Sequence, residues 1–285
     1  MDQNEFYIGW MAKAPALFAS FIRRYLLWLI PLLLLTAAGL ALLQKKASSA
    51  TFEFGRITNL TGVYHSLPVP LLRINQGVDA SGTTLFQTIP LVGFGKSGAG
   101  GMIGELERKM NISLEGMLLT LQGTLLYNDG KTLLQIENSD SLLRATTIPS
   151  GSDASAPQPI DLGTATVKGE IADPKCFFGV MKPGEGKPHR DCAIRCILGG
   201  IPPVLVVHNS RGRANYYLLV GPNGERMNTA VQDFVAEPVT ISGKRILYDD
   251  WIILYAQDTT AIRRNSYLAE HFGNSIVSCK DGCTK

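Results

Sequence analysis

Four side chains in one stretch carry most of the reactive chemistry of this sequence. They are Cys176, His189, Cys192 and Cys196, spaced C-x12-H-x2-C-x3-C. Three of the five cysteines and one of the four histidines fall there. Three chemistries suit such a set. In an oxidising compartment, Cys176 can bridge Cys192 or Cys196 and staple a loop. Closing over the 15 or 19 intervening residues contributes on the order of 3 kcal/mol. One cysteine is then left over, and Cys279 and Cys283 in the tail can pair with it or with each other.

The second chemistry is metal binding. Cys192 and Cys196 are i and i+4, so on a helix they share one face, and His189, three residues before Cys192, joins it. Cys176 supplies a fourth ligand. Thiolates with an imidazole suit copper or zinc. C-x3-C with a nearby His and Met also occurs at copper sites, and Met181 is the available thioether. The downstream His usual at those sites is absent, because Gly199-Gly200-Ile201-Pro202-Pro203 follows. The third chemistry is thiol exchange, which ordinarily uses C-x2-C; here Arg190 and Arg195 are the groups that would favour a thiolate. The spacing is neither a Rieske nor a covalent-haem pattern. The nonstandard ligand spacing puts the staple first, metal second and redox third.

The elements around the cysteines follow from their punctuation. Pro183, Gly184, Gly186 and Pro188 keep the segment before His189 non-helical. A short helix should carry Cys192 and Cys196, and Gly199-Gly200 should end it. Pro202-Pro203 then leads into the strand Val204-Leu-Val-Val207. The whole of 176–203 reads as an insertion between strands.

The rest of the 285 residues divides by composition. Residues 25–43, YLLWLIPLLLLTAAGLALL, form an uncharged apolar run of the length that spans a bilayer. Arg23 and Arg24 precede it, and Lys45 and Lys46 follow. The arginine bias favours a cytoplasmic N-terminus, with the C-terminal bulk outside the cytoplasm. Residues 1–24 read as a cytoplasmic or membrane-surface segment. A net charge of +3 is too small for a nucleic-acid footprint.

Residues 51–147 and 162–258 read as two β modules, joined by the Pro/Ser/Ala-rich linker 148–161 and followed by the tail 259–285. They share a pattern. Thr120-Leu-Gln-Gly123, then Leu126 to Asp129, matches Thr240-Ile-Ser-Gly243, then Leu247 to Asp250, with one residue of slippage. Each copy is preceded by a glycine-bearing strand, at Gly62 and Gly169. The fold class is therefore mainly β: an N-terminal transmembrane helix, then two small OB-like antiparallel barrels, the second with a Cys-bearing helical insertion. Gly95-Lys96-Ser97 has the look of a P-loop, but position 90 is proline where that motif needs glycine. It reads as a tight glycine-rich loop. Asp249-Asp250 reads as a hairpin turn, and His65, His208, Tyr216 and Trp251 as ordinary strand residues.

The pieces D-x2-C (Asp173 to Cys176) and C-A-x2-C-x2-G-G (Cys192 to Gly200), ahead of a V-L-V-V strand, resemble a small extracytoplasmic β domain of many bacterial proteins. The resemblance covers about 164–258. It implies an OB-like fold and an envelope location, and no particular activity. No Ser-His-Asp order, carboxylate pair or cofactor motif is present. The expectation is a single-pass, non-enzymatic protein of the bacterial inner membrane. Its partners would be the lipid bilayer and another membrane or envelope protein. The alternative is a copper- or zinc-binding, or electron-transfer and thiol-redox, accessory using Cys176, His189, Cys192 and Cys196.

Overall fold

The structure is a computed structural model describing residues 14–44, 50–148, 158–209, 213–257 and 259–265. Residues 149–157 of the expected linker, residues 266–285 of the tail with Cys279 and Cys283, and residues 1–13 lie outside the described residues.

The described part of the N-terminal unit carries one helix, α1 (Ala16–Gln44). It begins well before the apolar run, and Arg23 and Arg24 lie within it. Its 29 residues reach about 43 Å at 1.5 Å per residue, more than the hydrocarbon layer needs. Ser20 and Thr36 donate their hydroxyls to the carbonyls of Leu17 and Leu33, which suits a solvent without water. It is the one helix among the described residues long and apolar enough to cross a membrane; a signal sequence has the same length and composition.

The second unit holds two closed five-stranded barrels. The first is built from β2 (Thr58–His65), β3 (Leu71–Val78), β4 (Thr84–Gly93), β5 (Leu118–Asn128) and β6 (Lys131–Ile136), with β1 (Thr51–Phe52) and β7 (Leu142–Thr146) along β5. It closes in the order β2-β3-β4-β6-β5, the β4–β6 pair being parallel. The second uses β8 (Ile160–Ala172), β9 (Val204–His208), β10 (Ala214–Val220), β11 (Pro238–Tyr248) and β12 (Trp251–Ala256), with β13 (Ile262–Arg264) along β11. Its order is the same, β8-β9-β10-β12-β11, again with one parallel pair, β10–β12.

The repeated glycines explain the shared pattern. A Cβ on Gly123 would strike the carbonyl of Gln135, and one on Gly243 that of Tyr255; Gly62 and Gly169 likewise face the carbonyls of Arg73 and Val206. These are places where neighbouring strand backbones come too close for any side chain. Helix α2 (Gly100–Met110) follows β4, burying Ile103 and Leu106. The equivalent stretch after β10 holds only a short 3-10 turn, Gln232–Phe234.

Each barrel has its own buried core, and a third cluster joins them. Val69, Val92, Leu126 and Leu133 of the first barrel pack with Cys176, Phe178, Tyr216 and Trp251 of the second. The two hairpin turns cross the boundary in both directions. Asp129, at φ 46° in the first turn, accepts from the backbone N–H of Ala214 at 2.8 Å. Asp249, at φ 48° in the second, takes both arms of Arg73 at 2.8 and 2.9 Å and the hydroxyl of Thr88 at 3.0 Å. Asp250 accepts from Thr88 N, and Trp251 donates its indole N–H to Thr88 O. Asp249-Asp250 is a turn, as expected, and also a latch between barrels.

Candidate metal centre

The long connection between β8 and β9, residues 173–203, carries the site. Its first piece is a π-helical turn, Cys176–Val180, closed by the N–H of Met181 on the carbonyl of Cys176. Two glycines let the chain fold onto this turn. Gly179 sits at φ 132° against the backbone of Thr51 and Phe52, and Gly184 lies on the backbone of Cys176 and Phe177. Phe177 and Phe178 are buried. Cys176 is thereby held as part of the core.

The second piece is helix α3 (Arg190–Leu198), which carries Cys192 and Cys196 as expected. Its end is a Schellman arrangement. Gly200 N donates to Ile197 O, Ile201 N donates to Cys196 O, and Gly200 takes φ 102°. The left-handed residue is the second glycine. Ahead of the helix, Lys187–His189 forms a 3-10 turn, so the break expected there is only partial.

The three sulfurs of Cys176, Cys192 and Cys196 lie within 4.8 Å of one another. All three are free thiols. No S–S bond joins Cys176 to Cys192 or Cys196 here; the sulfurs converge as a trio, and any one bridge would leave the third over. Cys279 and Cys283 lie outside the described residues. Cys176 and Cys196 are buried and Cys192 half-buried, which makes Cys192 the open side. The pKa of the Cys176 thiol is pushed up by its hydrogen bond with Cys196, by burial and by the charge of Asp173.

His189 does not join the helix thiols. Its ligand nitrogen groups with Asp173 and Cys176, all within 4.8 Å. The physical reason is local: at φ −99°, ψ −8° His189 ends the 3-10 turn and caps α3 rather than extending its face. His189 and Asp173 are 3 % and 0 % exposed. The Nε2 of His189 and the Oδ2 of Asp173 have no hydrogen-bond partner. Burial lowers the pKa of His189 and favours the neutral imidazole. Met181, the thioether candidate, is 45 % exposed at the end of its turn.

Two lysines complete the surroundings, and neither was expected at the site. Lys96, in the glycine-rich loop of the first barrel, donates to Cys192 Sγ at 2.9 Å. That contact raises the lysine's pKa. Lys175 is buried and donates to the carbonyls of Gly93 and Gly95, each at 2.7 Å, which fixes the same loop. Burial lowers its pKa. Gly98 N donates to Gly199 O, and a Cβ on Gly199 would overlap the carbonyl of Lys96. The loop thus straps the end of α3. Arg190, expected to favour a thiolate, is instead paired with Glu237 at 2.9 Å. The only signal for Lys96 was the glycine density of 93–101, explained here by close backbone approach.

No protein-family model matches this chain, and no curated protein matches it. The D-x2-C and C-A-x2-C-x2-G-G resemblance therefore rests on the motif alone.

Proposed function

We propose that this chain is a membrane-anchored metal-binding protein, holding copper or zinc at Cys176, Cys192 and Cys196. The observation that carries the reading is the convergence of three free thiols from two separate elements within 4.8 Å. Three thiolates form a soft ligand set suited to zinc or cuprous copper. A bound ion would keep them from pairing in an oxidising compartment. Lys96 lies beside the half-buried Cys192 and offsets anionic charge where an ion would enter. No catalytic step is proposed.

The apolar helix fits a single-pass anchor, and the arginines before it favour a bacterial inner-membrane protein with its barrels outside the cytoplasm. There the protein would serve as an accessory to another membrane or envelope protein, with the OB-like modules as the docking body. The test is metal content and thiol count of the full-length, detergent-solubilised chain. At least one equivalent of zinc or copper, with thiols released only on chelation, is expected. A metal-free protein with Cys176 in a disulfide peptide would sink the metal reading and leave a stapled partner-binding scaffold.

A further inference from the structure

The ligands divide into two sets that share one sulfur. Cys176, Cys192 and Cys196 make one; Asp173, Cys176 and His189 make the other. Five donors are more than one four-coordinate zinc accepts. Two ions joined through one thiolate use all five, each keeping an open position.

The buried polar atoms point the same way. Asp173 Oδ1 accepts from Lys175 N at 2.9 Å, but Oδ2 is unpartnered, as is His189 Nε2. A buried polar group without a partner keeps the cost of its lost hydration. Neither a disulfide nor a single ion on the three thiols would satisfy either atom. A cation between Asp173, Cys176 and His189 would give both of these buried side chains a partner.

A Cys-His-Asp set is also the composition of a thiol hydrolase. Here it is 0–3 % exposed, which leaves no approach for an acyl substrate. A metal ion needs only the opening beside Cys192.

We infer that the site binds two metal ions, with the Cys176 sulfur bridging them and Asp173 and His189 holding the second. The inference rests on the metal reading above. A carboxylate, an imidazole and a thiolate together suit a divalent ion of the zinc class better than cuprous copper.

The experiment titrates zinc(II) alone into the full-length, reduced, chelator-stripped protein in detergent, with competition from a coloured chelator. Cobalt(II) is the spectroscopic stand-in. Two zinc equivalents per chain are expected. Thiolate-to-cobalt absorption should grow through both cobalt equivalents, and the cobalt spin signal should fall as the second ion couples to the first. The double variant Asp173→Asn, His189→Gln should take one equivalent. Circular dichroism would check its folding, but the wild-type stoichiometry decides without it. One equivalent in the wild type overturns the second position and leaves the metal reading standing. None overturns both. Two equivalents in a folded double variant overturn the assignment to Asp173 and His189.

Discussion

The two barrels make the same first turn in very different ways. In the first, β2 reaches β3 through residues 66–70; in the second, β8 reaches β9 through residues 173–203. Everything else about the barrels' closure is shared, down to the glycines at the strand crossings. The five-residue turn leaves Leu67 72 % exposed and contributes Val69 to the core between barrels, whereas the long one plants Cys176, Phe178, Cys196 and Ile201 there. The comparison teaches that the frame and the chemistry are separable. Among the described residues, one connection of one copy holds the grouped candidate ligands, and the other copy contributes the strap and part of the packing around Cys176.

The sharpest way to break that comparison is to truncate the plug. Phe178→Ala should cost roughly 3–5 kcal/mol in urea unfolding, as for other fully buried phenylalanines. Leu67→Ala, at the matching connection, should stay within about 0.5 kcal/mol. Equal losses at the two positions would erase the distinction.

A smaller effect is expected where the copies touch. Gly199→Ala places a methyl group on the Lys96 carbonyl, an overpacking worth about 1–3 kcal/mol. The strap must then lift from Cys192. Labelling of Cys192 by a thiol reagent should accelerate; an unchanged rate with unchanged stability would show that the strap does not cover it.

The smallest effect concerns the long connection's second anchor. Glu170 on β8 accepts from Gly186 N at 2.6 Å, and burial raises its pKa above the ordinary 4.5. The folded protein therefore holds a proton that the unfolded chain releases. This stabilisation is complete below pH 4.5 and fades as pH rises through the raised value. Glu170→Gln, which keeps the acceptor, should melt with the wild type at low pH and above it at neutral pH. Parallel melting curves across the range would rule out burial of the carboxylate as the cause.

Much of this frame was readable from local pattern. Asn128-Asp129-Gly130 specifies a hairpin because its central residues accept positive φ. Pairing of Thr120-Leu-Gln-Gly123 with Thr240-Ile-Ser-Gly243 exposes the repeat, because the same strand crossing imposes the same glycine. The helix with Cys192 and Cys196, and its glycine stop, followed from spacing. What escaped is long-range or turns on a few degrees of backbone. Lys96 lies 96 residues from Cys192, and its loop shows only its glycines. His189 left the helix face because a 3-10 turn winds its side chain to a different azimuth. The sulfur trio was hidden for a related reason: spacing shows which cysteines are near in sequence, not that all three meet at one point.

The reciprocal turns have a consequence beyond stability. Asp129 reaches from the first barrel to β10, and Asp249 from the second to β4, the corresponding strand of its neighbour. Such an exchange is what two identical chains make across a two-fold axis. The two halves are related as two copies of one barrel would be if each lent its hairpin turn to the other. One half keeps the short β2–β3 turn, while the other carries the long β8–β9 connection with the candidate ligands.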